Sequence, residues 1–184
     1  MTGSKSPAVE AQASKGLDAP RMVELPSQAM AVVYTRGEPR AAADEALPAL
    51  YGSVYLVRAQ MKRRGTPFKV EHLRARWPDA HLVPKERWTA IFGLPIPDAV
   101  VKLPQKKSNI AVVRETWDYG AVAEVLHVGS YAVEGVTVRR LHDFIARSGY
   151  EICGSHEEVY LTTRRARVQK TLIRYRVRPR ADGA

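Results

Sequence analysis

Hydrophobic positions along the chain change period several times, and each change marks an element. Regular pattern starts at Arg21-Met22-Val23-Glu24-Leu25 and resumes at Met30-Ala31-Val32-Val33-Tyr34. Pro26 splits the two runs, which predicts an interrupted strand. Gly37-Glu38-Pro39 closes it with turn chemistry. From about Ala41 to Arg64 the period lengthens: Leu47, Leu50, Tyr51, Val54, Tyr55, Arg58 and Met61 recur at three- and four-residue steps, one face of a helix. Pro48 falls near its start, and Gly65, after Lys62-Arg63-Arg64, supplies a stop. Two extended segments follow, Phe68 to Trp77 and Glu86 to Leu94, joined through Pro78, Asp79 and Pro84. Pro95-Ile96-Pro97-Asp98 opens a short helical stretch, and Pro104 to Asn109 reads as a loop.

The order of elements then repeats. Ile110 to Trp117 and Ala121 to Val128 read as strands, followed by a helix that buries Val136, Val138, Leu141, Phe144 and Ile145 and ends at Gly149. Two more strands lie near Glu151 to Thr162 and Thr171 to Arg178. Strand–helix–strand–strand twice predicts an α+β fold: a pseudo-twofold pair of βαββ modules, about 21–95 and 110–180, in one domain. The sheet is expected to be mainly antiparallel, with the helices on one face and a central ligand cleft between the halves. Residues 1–20, small and polar, are expected to be a flexible leader, and 181–184 a tail.

Composition narrows the class. With 45% hydrophobic and 26% charged residues in 184, the chain is an ordinary globular mixture. No apolar run is long enough for a membrane span and no secretory signal opens the chain, so a cytoplasmic location is expected. The single cysteine, Cys153, fits a reducing compartment. The net charge of +10 points toward a polyanionic partner. Its distribution weakens that reading: eight basic residues and no acidic one lie between Thr162 and Arg180, and a smaller cluster surrounds Lys62-Arg63-Arg64. No helix-turn-helix, zinc-finger or RNP-like pattern accompanies them, so nucleic acid is the less favoured partner.

The best candidate for chemistry is Ser155-His156-Glu157-Glu158-Val159-Tyr160-Leu161. In a strand, alternation puts His156, Glu158 and Tyr160 on one face and Ser155, Glu157, Val159 and Leu161 on the other. A carboxylate between an imidazole and a phenol can act as a general acid or as the counter-charge for a cation. A solvated face, with Glu158 neutralising nearby arginines, is the alternative. Tyr51 and Tyr55 share a helix face, and Trp77, Trp88, Trp117 and Tyr119 lie in or beside strands. Aromatics around one acid would favour planar, apolar or cationic organic molecules. His127, His142, His156 and Cys153 lack zinc-like spacing, and nucleotide-binding and nucleophile-elbow motifs are missing, so neither metal nor cofactor is expected.

Leu126-His127-Val128-Gly129-Ser130-Tyr131, the helix end Ser148-Gly149-Tyr150, Gly154-Ser155-His156-Glu157-Glu158-Val159-Tyr160-Leu161 and Lys170-Thr171-Leu172 together resemble the GyrI-like small-molecule-binding domain. Gly37-Glu38-Pro39 and Ala49-Leu50-Tyr51-Gly52-Ser53-Val54-Tyr55 are similar to its stand-alone members. Ser130 stands where proline is usual, and Thr162-Thr163-Arg164-Arg165 replaces a more acidic turn. The resemblance implies paired βαββ modules around a cleft, with an acid at Glu158 and binding residues Tyr160, Tyr51, Tyr55, Trp77 and Trp88, beside His156. It implies first a protein that binds small hydrophobic or cationic compounds, sequestering or sensing drugs or toxins. An alternative is a hydrolase that opens the cyclopropane ring of DNA-alkylating natural products, Glu158 activating water and Tyr55 or Tyr160 hydrogen-bonding the substrate carbonyl. A third reading is an interaction protein acting on gyrase or nucleic acid through its basic surface.

Overall fold

The computed structural model describes residues 17–80, 82–106 and 109–181. Of the expected leader and tail, residues 1–16 and 182–184 lie outside the described residues, while Leu17 is buried and its carbonyl accepts from the Leu126 N–H at 2.7 Å. The strands are β1 (Arg21–Leu25), β2 (Gln28–Arg36), β3 (Arg74–Trp77), β4 (Thr89–Pro95), β5 (Val113–Trp117), β6 (Gly120–Val128), β7 (Tyr150–Ile152), β8 (His156–Tyr160) and β9 (Lys170–Pro179). Among the described residues two α-helices, α1 (Pro39–Arg63) and α2 (Glu134–Arg147), interrupt them. The sheet is antiparallel at every described pairing, in the order β1-β6-β9-β8-β3-β4-β2-β5, with β7 beside the far end of β9. Both βαββ modules are present: β2-α1-β3-β4 and β6-α2-β8-β9, with β7 ahead of β8 in the second.

Two ladders join the modules. β3 pairs with β8 from Arg74↔Val159 to Trp77↔His156. The other is an exchange of arms. β1 leads into β2 but pairs with β6, and β5 leads into β6 but pairs with β2. The register is continuous across the break, from Arg21↔Glu124 through Leu25↔Gly120 and Gln28↔Trp117 to Val32↔Val113. Pro26, with no N–H to give a ladder, sits in the gap on one side. Across it, the Ser27 hydroxyl donates to Asp118 at 2.7 Å, tying the two bends together. The split run seen in the sequence is therefore one strand handed from one half of the sheet to the other.

α1 starts at Pro39, where the Glu38 carboxylate accepts from the Arg40 and Ala41 N–H groups at 2.9 and 3.1 Å. Pro48 consequently lies well inside a helix that continues past it. The buried face is also rotated from the predicted stripe: it consists of Ala42, Ala43, Ala46, Ala49, Leu50, Ser53, Val54 and Val57. Small residues let the helix axis approach β2 and β4 closely, so the larger Leu47, Tyr51 and Met61 sit at the rim and Tyr55 is exposed. α2 buries Leu141 and Ile145, with Val138 and Phe144 partly covered, whereas Val136 faces outward. Gly149, at φ +78°, takes the left-handed turn that ends it.

Four expected elements are shorter or different. The segment 68–73 is extended but outside the ladder, its Phe68, Val70 and Leu73 packing directly on the α1 core. Residues 85–87 form a 3₁₀ turn before β4, and the helix expected after Pro95 is a turn instead, because β4 runs through Pro95 and two prolines leave little donor capacity. The long strand near Glu151 breaks into β7 and β8: five steps from Ile152 to Glu157 face three on β9, Val177 to Arg174. The extra residues form a bulge at Cys153-Gly154-Ser155.

Both helices pack on one face. On the other, Met30, Val32, Trp117, Tyr119 and Val122 are buried with no further layer over them, because the sheet curls into a half-barrel around them. Gly93 permits that closure: a Cβ there would lie 2.8 Å from the Trp117 ring. The same concave side carries a chain of opposite charges. Glu124, 1% exposed, accepts from Arg21 at 2.6 Å and Arg174 at 2.7 Å. Glu157, 3% exposed, accepts from Arg76 at 2.7 Å and the Tyr119 hydroxyl at 3.0 Å. Arg76 also stacks 3.8 Å over the Trp117 ring. Arg174 is thus an interior residue. Removing one charge from such a set strands the others in low dielectric, which costs about 3–5 kcal/mol. Glu124→Gln is expected to lower unfolding free energy by about 3 kcal/mol, the low end because Arg21 is half-exposed, measured by urea denaturation.

Candidate functional site

The alternation read in β8 holds. Register places His156 opposite Trp77 and Glu158 opposite Ala75, and Ala75 and Trp77 belong to the helix-side core. His156, Glu158 and Tyr160 therefore project toward the helices, and Glu157 toward the half-barrel. Glu158 is not a solvated residue compensating arginines: it is 8% exposed, and that pairing falls to Glu157 on the opposite face.

The His156 ring bridges several groups. Its Nδ1 lies 2.7 Å from the Tyr175 hydroxyl and its Nε2 3.3 Å from Glu158 Oε1. Glu134, in the first turn of α2, brings Oε1 to 3.6 Å from the same Nε2. Burial by itself would lower the imidazole pKa, but hydrogen bonding to Glu134 and Glu158 and the field of Tyr175 and Glu158 carry it well above its ordinary 6.5. At neutral pH this favours the charged imidazolium, held between Glu134 and Glu158. Burial, then the charge and hydrogen bond of Glu158, push the Tyr160 phenol well above its ordinary range, so it stays a donor at neutral pH. Tyr131 meets Tyr160 edge-on at 6.3 Å and is also raised, by burial and by Glu158.

The aromatic candidates divide. Trp77 is 4% exposed, with Trp88 and Phe92 each 5.8 Å away. Trp88 is partly buried in the same cluster and donates to the Val83 carbonyl at 3.1 Å. Tyr51 packs on this cluster as well, as does Tyr160. Tyr55 stacks on Tyr51 at 6.1 Å but is 52% exposed. Trp117 and Tyr119 belong to the other face. His127 is a satisfied core histidine, its nitrogens 3.0 Å from Thr137 Oγ1 and the Ser130 carbonyl. Two buried polar atoms in this region have no protein hydrogen-bond partner among the described residues: the Trp77 indole N–H and Glu134 Oε1.

Glu134, Tyr131 and Tyr175 escaped the sequence reading, since each reaches β8 only through tertiary packing. The single available signal was the acidic residue opening α2. With Glu134 included, Glu134, His156 and Glu158 offer ligand atoms within 4.8 Å of one another, a metal-like set that spacing among histidines and cysteine did not reveal. A metal would require His156 to surrender the proton that now links the carboxylates. Cavities occur elsewhere: about 210 Å³ beside Tyr34, Glu45 and Ile110, and about 150 Å³ on the concave face at Arg76, Glu157 and Arg174.

A raised folded-state pKa for His156 means that its contribution to stability is complete below about pH 6.5 and disappears as pH rises through the folded value. The stability difference between wild type and His156→Gln is therefore expected to shrink as pH is raised, by urea denaturation across a pH series. Nitrogen NMR should show both ring nitrogens protonated at pH 7; a neutral ring would contradict this assignment.

No family model and no curated protein matches the sequence. Solved structures do match in fold. An uncharacterized conserved protein from Listeria innocua superposes with a TM-score of 0.76 at 23% identity, covering 93% of this chain and 98% of that one. A hydrolase from the same organism gives 0.75 at 21% identity over 93% and 98%. The C-terminal domain of EcmrR gives 0.59 at 13% identity over 87% and 97%. At these identities the likeness is one of fold, and the curled antiparallel sheet with two helices is consistent with a GyrI-like fold.

Proposed function

We propose that this protein binds a planar, apolar or cationic organic molecule on the helix side of β3 and β8, between α1 and α2. The observation that carries the reading is the buried cluster of two carboxyl groups and one imidazole at Glu134, His156 and Glu158, set among Trp77, Tyr131 and Tyr160. A flat cation meets both requirements at once: carboxylates offset its charge and ring faces cover its apolar surface. The unpartnered Trp77 N–H adds one donor for polar substituents. Of these three rings Tyr131, 44% exposed, is the most accessible.

A hydrolase is the second reading, favoured by the Tyr160 phenol beside Glu158 and by the fold shared with a hydrolase. In the ring-opening reaction a water oxygen bonds to a cyclopropane carbon as the carbon–carbon bond breaks, and its electrons pass to the conjugated carbonyl oxygen. Glu158 accepts the proton from water, and Tyr160 hydrogen-bonds the developing oxyanion. The basic carboxy-terminal stretch supports a polyanion partner less well: Arg164 bonds Asp44, Arg174 bonds Glu124 and Arg178 bonds Glu151.

Calorimetric titration with a planar cationic dye should show saturable binding, weakened at least about tenfold by Glu158→Gln, since removing one partner of a buried charge contact costs about 2–5 kcal/mol. Absence of saturable binding overturns the reading. Incubation with a cyclopropane-bearing alkylating compound, followed by mass spectrometry, separates the two functions. Mass gain by one water, abolished in Glu158→Gln, establishes the hydrolase; dye binding with unchanged compound establishes binding alone.

A further inference from the structure

The β7–β8 bulge does more than redirect the strand. Gly154 and Ser155 lie against β9 at the point where Arg174 and Arg176 project to the concave side, and a cavity of about 150 Å³ opens there. Arg76, Asp118, Tyr119, Val122, Glu157, Arg174 and Arg176 complete its wall. Gly154 is held against the strand: a Cβ there would meet Arg176 Cβ at 2.8 Å, so a larger residue would push the bulge away. At about 30 Å³ per water in the liquid, the cavity holds a tetrahedral oxyanion together with a few waters.

The wall is rich in uncommitted donors. Arg76 and Arg174 each spend the Nε proton on a carboxylate, at 2.7 Å in both cases. A guanidinium has five N–H donors, so most of each fork remains unspent. The Arg176 side chain is exposed and has no hydrogen bond or ion pair among the described residues, while its backbone carbonyl accepts from the Cys153 N–H. The acids of the wall are already engaged: Glu157 by Arg76 and Tyr119, Asp118 by Ser27. Three guanidiniums against two carboxylates leave the lining positive, and the Ser155 hydroxyl adds a neutral donor. A carboxylate ligand has two oxygens for these donors. A phosphate has three or four and matches three forks more fully.

We infer that the concave face carries a phosphate site at this bulge, formed by Arg76, Arg174, Arg176 and Ser155 and taking inorganic phosphate or the phosphate group of a small metabolite. It is separate from the Glu158 cluster, which lies on the opposite face of β8. Arg176 binds directly, with no structural partner to lose. Because Glu157 and Glu158 are consecutive on one short strand, occupancy here bears on the backbone that carries the acid.

The test is titration of the full chain with inorganic phosphate and with glycerol 3-phosphate, by calorimetry at constant ionic strength set with chloride. Saturable binding is expected, weakened at least about tenfold by Arg176→Glu or Arg176→Gln, the size of one lost charge-assisted contact. Arg178→Glu, which makes the same charge change two positions along β9 but lies outside the cavity, should shift affinity by less than about twofold. Tighter binding of glycerol 3-phosphate assigns a metabolite, and equal or weaker binding assigns the free ion. The inference is overturned if neither compound saturates at millimolar concentration, or if Arg178→Glu weakens binding as much as Arg176→Glu. Circular dichroism of each variant checks that the fold is retained.

Discussion

The pairing of β3 with β8 is the constraint on which this protein turns, because β3 belongs with β4 in one module and β8 with β9 in the other. β3 has four residues and β8 five, yet together they close the seam between two modules. Opposite faces of that seam have opposite characters. On the helix side Trp77 faces His156, and the acid cluster gathers beside them. On the concave side Arg76 faces Glu157, and the line of charge runs on through Arg174 to Glu124 and Arg21. Buried ion pairs of this kind contribute little net stability but penalise misregister, since a one-residue slip of β8 would exchange Glu157 for Glu158 on each face.

That exchange explains why two adjacent glutamates can have unrelated tasks. Glu157 is saturated by arginine and tyrosine and belongs to the architecture. Glu158 shares a histidine with Glu134 and stands among aromatic rings. Alternation along five residues separates the two glutamates, while Glu134 and the arginines that face them come from other elements. The arm exchange at Pro26 and Asp118 adds a second cross-link, so that neither module can move without carrying a strand of the other.

Much of this was legible in the chain. Period-two spacing identified β8 and assigned its faces correctly, and the repeated element order gave the α+β architecture. Proline and glycine marked the break after β1 and the ends of both helices. The misreadings have physical causes. The α1 stripe was drawn through its large residues, whereas alanines make the contact because close helix–sheet packing excludes bulk. Val136 was placed inside by spacing alone, at a helix end that overhangs the sheet. Tyr55 lies on the outer flank of α1, since its neighbour Tyr51 already fills the rim.

Local patterning settles what a residue can do with its immediate neighbours: strand faces, caps, turns and the separation of Glu157 from Glu158. It depends on backbone geometry repeated over a few residues, which the sequence carries directly. The partners of those residues depend on distant strands and on a helix terminus brought in by packing. Glu134 reaches His156, Arg174 finds Glu124, and Trp117 fits over Gly93 only after the sheet has curled. The acid at Glu158 could therefore be named from the chain, while its charge balance, its protonated neighbour and the positive cavity behind it were decided by the tertiary structure.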